Sequence, residues 1–352
     1  MSSIALITDT HYGGRKGSKT FHDYFKRFYE DIFFPELEKR KIKDVIHLGD
    51  AFDSRKSIDF WCLDWAKENV YDRFRDLGIK VHQIVGNHDA YYKNTNDVNS
   101  IESLLREYDN IVPISGPGEY NVGGCKTFLI PWISAENREE TLEKMSKTKA
   151  KVAFGHLELV GFKVNNYVTM DHGHDPSVYN KFDRVYSGHY HTRSNNGKIF
   201  YLGNPYEMFW SDVGDTRGFT ILDTETLEHT HVNNPYRLFY SIYYNDDDHQ
   251  MFDARHLQDK LVKVVVRKKS DPVKFEKFVD KIYSSGVADL KIIENFAFTN
   301  LDPGFEDANK NIESEDTMSI LDRYIDESET ELDKSVIQSI IREIYQEACE
   351  LV

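Results

Sequence analysis

Cysteine is scarce in this chain. Cys62, Cys125 and Cys349 are scattered, odd in number and without metal-type pairing, so neither a disulfide framework nor a thiolate zinc site is expected. They read as reduced thiols of a cytoplasmic protein. No apolar run approaches the roughly 20 residues that a bilayer-spanning helix needs. The apolar stretch Ile4–Ile7 is too short for the core of a signal peptide, so no membrane role is expected. A Gly-rich phosphate loop, a serine or cysteine nucleophile triad, internal repeats and low-complexity tracts are all missing. A basic stripe is missing too: the formal net charge is −15, with the acidic excess heaviest from Asp302 to Glu350. Such a balance counts against a protein that grips nucleic acid over a broad surface. It counts only weakly against a metal-centred site, because bound divalent cations would offset the charge of their own ligands.

What the chain does have is alternation. Short β-branched or apolar runs at Ile4–Ile7, Val45–Leu48, Val81–Val85, Val152–Phe154 and Val185–Ser187 read as strands. Helical periodicity fills Phe21–Lys39 and Ser57–Leu77 between the early ones. This pattern predicts an α/β domain over residues 1–236 with sheets covered by helices. The Ser57–Leu77 helix carries one apolar stripe through Leu63, Ala66, Val70, Phe74 and Leu77, and another through Trp61 and Trp65. It is expected either to lie deep in the core or to make a subunit contact. After Asn233-Asn234-Pro235 the texture changes. A strand at Leu261–Arg267, a helix at Pro272–Tyr283 capped by Asp271, and a strand at Leu290–Phe298 predict a small α+β capping domain over 237–300. Residues 301–316, with Pro303-Gly304 and many acids, read as a linker, and 317–352 as a helical tail.

The chemistry sits where the strands end. The successive runs deliver Asp9-Thr10-His11, Gly49-Asp50-Ala51-Phe52-Asp53, Gly86-Asn87-His88-Asp89, Gly155-His156 and Gly188-His189-Tyr190-His191. In an open α/β sheet the carboxyl ends of strands converge on the crevice where ligands bind. Each motif alone is an ordinary turn; their joint presence predicts a metal site. The glycines are expected to let the chain turn off the strand and approach the ions closely. The pairs Asp9/His11 and His189/His191 are expected to project together from extended segments. Imidazole, carboxylate and amide donors together suit Mn²⁺, Fe²⁺ or Zn²⁺ better than Mg²⁺. The seven candidates Asp9, His11, Asp50, Asn87, His156, His189 and His191 exceed the needs of one ion, and Asp50 is the natural bridge between two. Two divalent ions are the expected cofactors for in-line displacement at phosphorus.

This set resembles the calcineurin-like metallophosphoesterases. More narrowly it resembles the SbcD-type nuclease subunits of DNA repair and recombination and their counterparts in tailed phages. Leu129-Ile130-Pro131-Trp132, Tyr201-Leu202-Gly203-Asn204-Pro205 and Arg217-Gly218-Phe219 fit the same family. The resemblance implies a two-sheet sandwich flanked by helices and a Mn²⁺-dependent DNA exonuclease and endonuclease that works with an SMC-like ABC ATPase. It implies that Asp9, His11, Asp50 and His191 hold one ion, and that Asp50, Asn87, His156 and His189 hold the other. It assigns His88 to stabilising or protonating the leaving oxygen. Many cellular relatives carry a second histidine where this chain has Asp53, which leaves open whether Asp53 orients a ligand, assists proton transfer or bonds His88. The resemblance also places a homodimer contact at Trp61 and Trp65, helped by Ile101, Leu104 and Leu105. It has the tail grip the ATPase through an apolar face containing Ile337, Ile340, Ile341 and Ile344.

Arg15, Lys16 and Lys19, with Arg55, are the candidate DNA-phosphate contacts beside the site. Asp171-His172-Gly173-His174-Asp175 mimics a metal site but follows no strand, and is expected to be a polar loop near the substrate. His47 and His82 fall within strands and are expected to be structural. Two rival functions remain on the same residues: a phosphatase or small phosphodiesterase, and a catalytically silent DNA-end scaffold.

Overall fold

The structure, a computed structural model, describes residues 3–165, 168–248 and 250–294, together with 324–326, 334, 337, 338 and 341. The chain divides into two compact units, Met1–Phe239 and Tyr240–Val352.

In the first unit the strands are β1 (Ser3–Ile7), β2 (Asp44–His47), β3 (Lys80–Ile84), β4 (Ile111–Ile114), β5 (Gly118–Val122) and β6 (Cys125–Ile130). They continue as β7 (Val152–His156), β8 (Arg184–Gly188), β9 (Ser194–Asn195), β10 (Ile199–Tyr201), β11 (Gly218–Asp223) and β12 (His229–Asn233). One sheet runs β12-β11-β1-β2-β3-β4 and the other β5-β6-β7-β8-β10-β9. Both are mixed: β1, β2, β3 and β4 are parallel and so are β6, β7, β8 and β10, with antiparallel strands at the edges. The two sheets face each other across a buried apolar layer. Ile4, Leu6, Ile46, Leu48 and Ile84 from the first pack on Leu129, Val152, Phe154 and Tyr186 from the second. Apolar burial of roughly 1.5–3 kcal/mol per large side chain makes that layer the main glue of the sandwich. The result is the two-sheet sandwich flanked by helices that the family resemblance implies.

The helix over Phe21–Lys39 extends slightly further, as Lys19–Phe28, a wider π-turn Tyr29–Phe33, and Phe34–Arg40. Its aromatics, Phe28, Phe33 and Phe34, meet Phe74 and Phe219 edge-on on the outer face of the first sheet. The next helix starts at Phe60 rather than Ser57, and it too contains a π-turn, Lys67–Tyr71. Trp65 is buried among Tyr12 and His22, whereas Trp61 stays 41% exposed. Ile101 and Leu105 are likewise buried in this chain's own core. The apolar side of the helix therefore serves the protomer, and only Phe60 and Trp61 at its start remain uncovered.

In the second unit β13 (Phe239–Asn245), β14 (Leu261–Lys268) and β15 (Asp289–Glu294) form one sheet in that order, with β14 and β15 parallel. The helix Pro272–Ser284 crosses between them and buries Phe275, Phe278 and Ile282 against Tyr244, Val262 and Val264. Asp271 caps it, accepting from the amides of Val273 at 2.9 Å and Lys274 at 3.1 Å. Tyr324–Asp326 is helical, as are Ile337 and Ile341, which are half-buried. The expected linker at 301–316 and most of the expected tail, Ile340 and Ile344 included, lie outside the described residues. Among the described residues no helix is long and apolar enough to cross a membrane.

Candidate metal centre

The ligand-bearing turns follow five parallel strands from both sheets, so one edge of the sandwich gathers all of them. Asp50 leaves β2 in a left-handed conformation (φ 53°), as do Asp9 (φ 51°), His11 (φ 44°) and His189 (φ 86°). The expectation of extended Asp9-Thr10-His11 and His189-Tyr190-His191 segments is thus corrected. Tight left-handed turns wrap these ligands around the edge, a backbone cost of order 1–3 kcal/mol each that clusters at functional sites. Space decides the glycine at Gly86: a Cβ there would lie 2.1 Å from Asp50 Oδ1. At Gly49 both reasons apply, with φ +105° and the His156 ring 2.4 Å from a would-be Cβ.

The expected ligands fall into two groups, and a third set of donors, His11 with Asp53 and His88, shares His11 with the first. Asp9, His11 and His191 bring donor atoms within 4.8 Å of one another, and so do Asp50, His156 and His189. In the second group Asn87 Oδ1 sits 2.8 Å from His156 Nε2 and 3.1 Å from His189 Nδ1. Asp50 Oδ2 is 3.2 Å from His156 Nε2 and 3.9 Å from His11 Nε2, so one carboxylate oxygen faces both groups. The opposite nitrogen of His156 bonds the Leu48 carbonyl at 2.8 Å, which aims Nε2 inward. Asp9 ties β1 to β8 by accepting the His189 amide on both oxygens at 3.1 Å. Two divalent cations fit this donor set: mixed imidazole, carboxylate and amide donors, buried except for the half-buried His189 and His191, converging from separate strands.

The charge pattern agrees. Burial disfavours charge on His11, but contact with Asp53 and the fields of Asp50 and Asp9 outweigh it and push the ring up to about 9. His156 is pushed up to about 9 in the same way, with Asp50 overcoming burial. Burial and the His11 charge hold its neighbour His191 neutral, well below the usual histidine range. Burial opposes ionisation of Asp50, yet His156, His88 and His11 keep it well below the usual carboxylate range. Asp9 is shifted upward, mainly by burial. His11 Nε2 lies 3.2 Å from His191 Nε2, an approach that needs a proton or a cation between the two nitrogens.

His88 stands beside this centre. Its Nδ1 donates to the Asp53 carbonyl at 2.6 Å, its amide donates to Asp50 Oδ1 at 2.8 Å, and its ring meets that of His11 at 5.0 Å. The Asp53 side chain turns elsewhere, with Oδ1 3.2 Å from His11 Nδ1. Arg15 reaches toward the same region: its guanidinium lies 5.5 Å from the Phe209 ring, which stacks on His191 at 5.7 Å. Lys16 and Lys19 are exposed and Arg55 is half-buried.

Sequence reading missed the residues that hold the ligands. Asp89, fully buried, accepts from the amides of Gly86, Ala51 and Phe52 and from the Ser100 hydroxyl, binding the β2 and β3 turns together. The buried Arg217 donates to the His191 carbonyl and to Asn204, and pairs with Asp212 at 2.8 Å and Asp215 at 3.2 Å. Both lie inside motifs visible in the sequence, but the parts of the site they hold are distant in the chain, the Ala51 and Phe52 amides for Asp89 and the His191 carbonyl for Arg217. Glu158 was also missed; its Oε1 is 3.8 Å from His189 Nε2. The Asp171–Asp175 segment belongs to none of the ligand groups among the described residues. It clasps the Glu158 strand end instead, the His174 amide donating to the Glu158 carbonyl at 2.8 Å. His47 is buried and structural, donating from Nε2 to Thr10 Oγ1 at 3.0 Å.

Comparison with known proteins agrees with the site. The model of the calcineurin-like phosphoesterase family matches residues 2–193. The chain is 30% identical over 317 residues to Exonuclease subunit 1 of Enterobacteria phage T4, covering 89% of this chain and 90% of that protein. It is 23% identical over 253 residues to a subunit of the nuclease SbcCD of Staphylococcus epidermidis, covering 63% of this chain and 66% of that one. The chain belongs to the calcineurin-like phosphoesterase family, on the branch of these SbcD-type proteins.

Proposed function

We propose that this chain is a two-metal DNA nuclease, exonuclease and endonuclease, that acts in complex with an SMC-like ABC ATPase in DNA repair or recombination. The observation that carries the reading is Asp50, whose single carboxylate oxygen faces both ligand groups. The two relatives, an exonuclease subunit and a nuclease subunit, support DNA over small phosphoesters. Asp9, His11, Asp50 and His191 hold one ion and Asp50, Asn87, His156 and His189 the other; manganese suits the donors best. When bound, the two ions neutralise the phosphate and favour displacement at phosphorus.

The chain's own residues do the rest. His88, with Nδ1 committed to a carbonyl, has Nε2 left to hold or deliver a proton at the leaving oxygen. Asp53 orients the ligand His11 through its carboxylate and His88 through its carbonyl, so it acts by positioning. Arg15, Lys16, Lys19 and Arg55 hold the DNA backbone beside the ions. The exposed Phe60 and Trp61 make the homodimer contact, and the tail with Ile337, Ile340, Ile341 and Ile344 docks on the ATPase, both in the cytoplasm. The test is cleavage of blunt duplex DNA with Mn²⁺ or Mg²⁺, with and without the ATPase. Metal-dependent cleavage stimulated by the ATPase is expected. Hydrolysis confined to small phosphoesters would favour the phosphodiesterase reading, and bound metal without any hydrolysis would favour the scaffold.

A further inference from the structure

We propose that Tyr91 and Tyr92, with Lys56 and Lys93 beside them, form a stacking platform for unpaired bases of single-stranded DNA next to the metal centre. The inference rests on the reading of the chain as a DNA nuclease and names where a separated strand is held.

Tyr91 and Tyr92 follow the catalytic candidate His88 by three and four residues, and they are 38% and 51% exposed. Their rings meet edge to face, with centroids 4.7 Å apart and planes at 78°. This arrangement leaves an aromatic face turned away from the partner ring. Lys56 Nζ stands 6.0 Å from the Tyr91 ring, and Lys93 is exposed directly after Tyr92. Two aromatic side chains and the Lys56 ammonium thus share one patch, with Lys93 next in the chain, in a protein of net charge −15.

The patch is held rigid. Ala90 pairs with Asn99, and the Tyr91 amide donates to the Val98 carbonyl at 2.9 Å, closing the loop at its base. Asn99 caps the following helix through the Glu102 amide at 2.9 Å, and Asn96 donates to the Trp132 carbonyl at 2.8 Å. The segment carrying Lys56 is joined to the same place, because the Asp53 carbonyl accepts from His88 Nδ1 at 2.6 Å. Exposed rings on a fixed loop lose little freedom when something stacks on them.

The chemistry selects the occupant. Bases in a duplex are covered on both faces, whereas an unpaired base has a free face to offer. Stacking on an aromatic ring is tolerant of sequence, and flanking ammonium groups pair with the phosphates on either side. The platform therefore fits a frayed end or a single strand leading to the metal centre.

The test is binding of a single-stranded oligonucleotide carrying 2-aminopurine, in EDTA so that nothing is cleaved. Wild-type protein is expected to quench the probe. The double variant Tyr91→Ala/Tyr92→Ala is expected to lose the quenching and about 5- to 150-fold in affinity, while Tyr91→Phe/Tyr92→Phe keeps both. Hydrolysis of a small chromogenic phosphodiester with Mn²⁺ should be unchanged in both variants, which shows that they fold. Unchanged affinity in the alanine variant overturns the platform. So does a shift of that variant from dimer to monomer on sedimentation, since the rings would then be covered by a second copy. Duplex cleavage by wild-type protein is measured in parallel. Its absence would overturn the nuclease reading, whereas cleavage with unaltered single-strand affinity in the alanine variant would overturn the platform alone.

Discussion

The ring of His88 donates from Nδ1 to the backbone carbonyl of Asp53 at 2.6 Å, while the Asp53 carboxylate lies 3.2 Å from His11. One residue thus fixes both the His11 ring and the neighbouring His88 ring. Because a carbonyl only accepts, Nδ1 carries a proton and Nε2 is the working nitrogen. His88→Ala should lower the nuclease rate by roughly 10²–10⁴-fold, the usual range for losing a positioned acid or base. Both ions should remain bound, since His88 is spare in the ligand count. Calorimetry with Mn²⁺ checks this; loss of one ion would make His88 a ligand instead.

Metal uptake should release protons. In the ion-free protein His11 and His156 are held up to about 9, and each must be neutral to bind a cation. Manganese affinity should therefore rise with pH up to about 9 and fall below neutrality. Titrating Mn²⁺ at pH 7 in buffers of different ionisation enthalpy reads the protons released directly. An enthalpy independent of the buffer would contradict the assignment of these two rings.

Acid stability should be set elsewhere. Burial holds His47 down to about 3 and His82 down to about 4, so both are neutral in the fold. Between those values and about 6.5 the unfolded chain binds the extra protons, so stability is lost as pH falls through that window. The slope should reach ~1.4 kcal/mol per pH unit for each ring. His11 and His156 act oppositely: in chelator, their contribution is full below 6.5 and is lost as pH rises toward about 9. Denaturant melts at pH 5 and pH 7 check the acid limb, with a His82→Gln variant expected to show a shallower slope. An identical slope would remove His82 from the account.

Arg217 should matter to the metal without touching it. Its guanidinium spans the His191 carbonyl, Asn204, Asp212 and Asp215, a fork that a lysine cannot reproduce. Arg217→Lys should weaken the ion held by His191 by about 10- to 100-fold and leave the other less affected. A folded variant with both manganese affinities unchanged would show that Arg217 serves the fold alone.

Much of the site was legible because each ligand follows a β-branched run, and runs such as Val81–Val85 identify strand ends without knowledge of sheet order. The α/β class followed from the same alternation, whereas the two-sheet sandwich came from the family resemblance. Backbone handedness was not legible: nothing in Asp9-Thr10-His11 announces φ values of +51° and +44° at its ends. Nor was the support around the ligands, since Arg217 meets His191 across 26 residues and His156 meets Leu48 across 108. The sequence left the Trp65 helix open between core and subunit contact, because the cover of Trp65, Tyr12 and His22, comes from a different part of the chain.

The most direct measurement titrates Mn²⁺ into chelator-stripped protein while following hydrolysis of end-labelled blunt duplex DNA and counting bound ions. Cleavage that rises with the second ion per chain, and that Asp50→Asn abolishes together with one ion, is the expected result. Full cleavage at one ion per chain, or two ions bound with the DNA left intact, would contradict a two-metal nuclease.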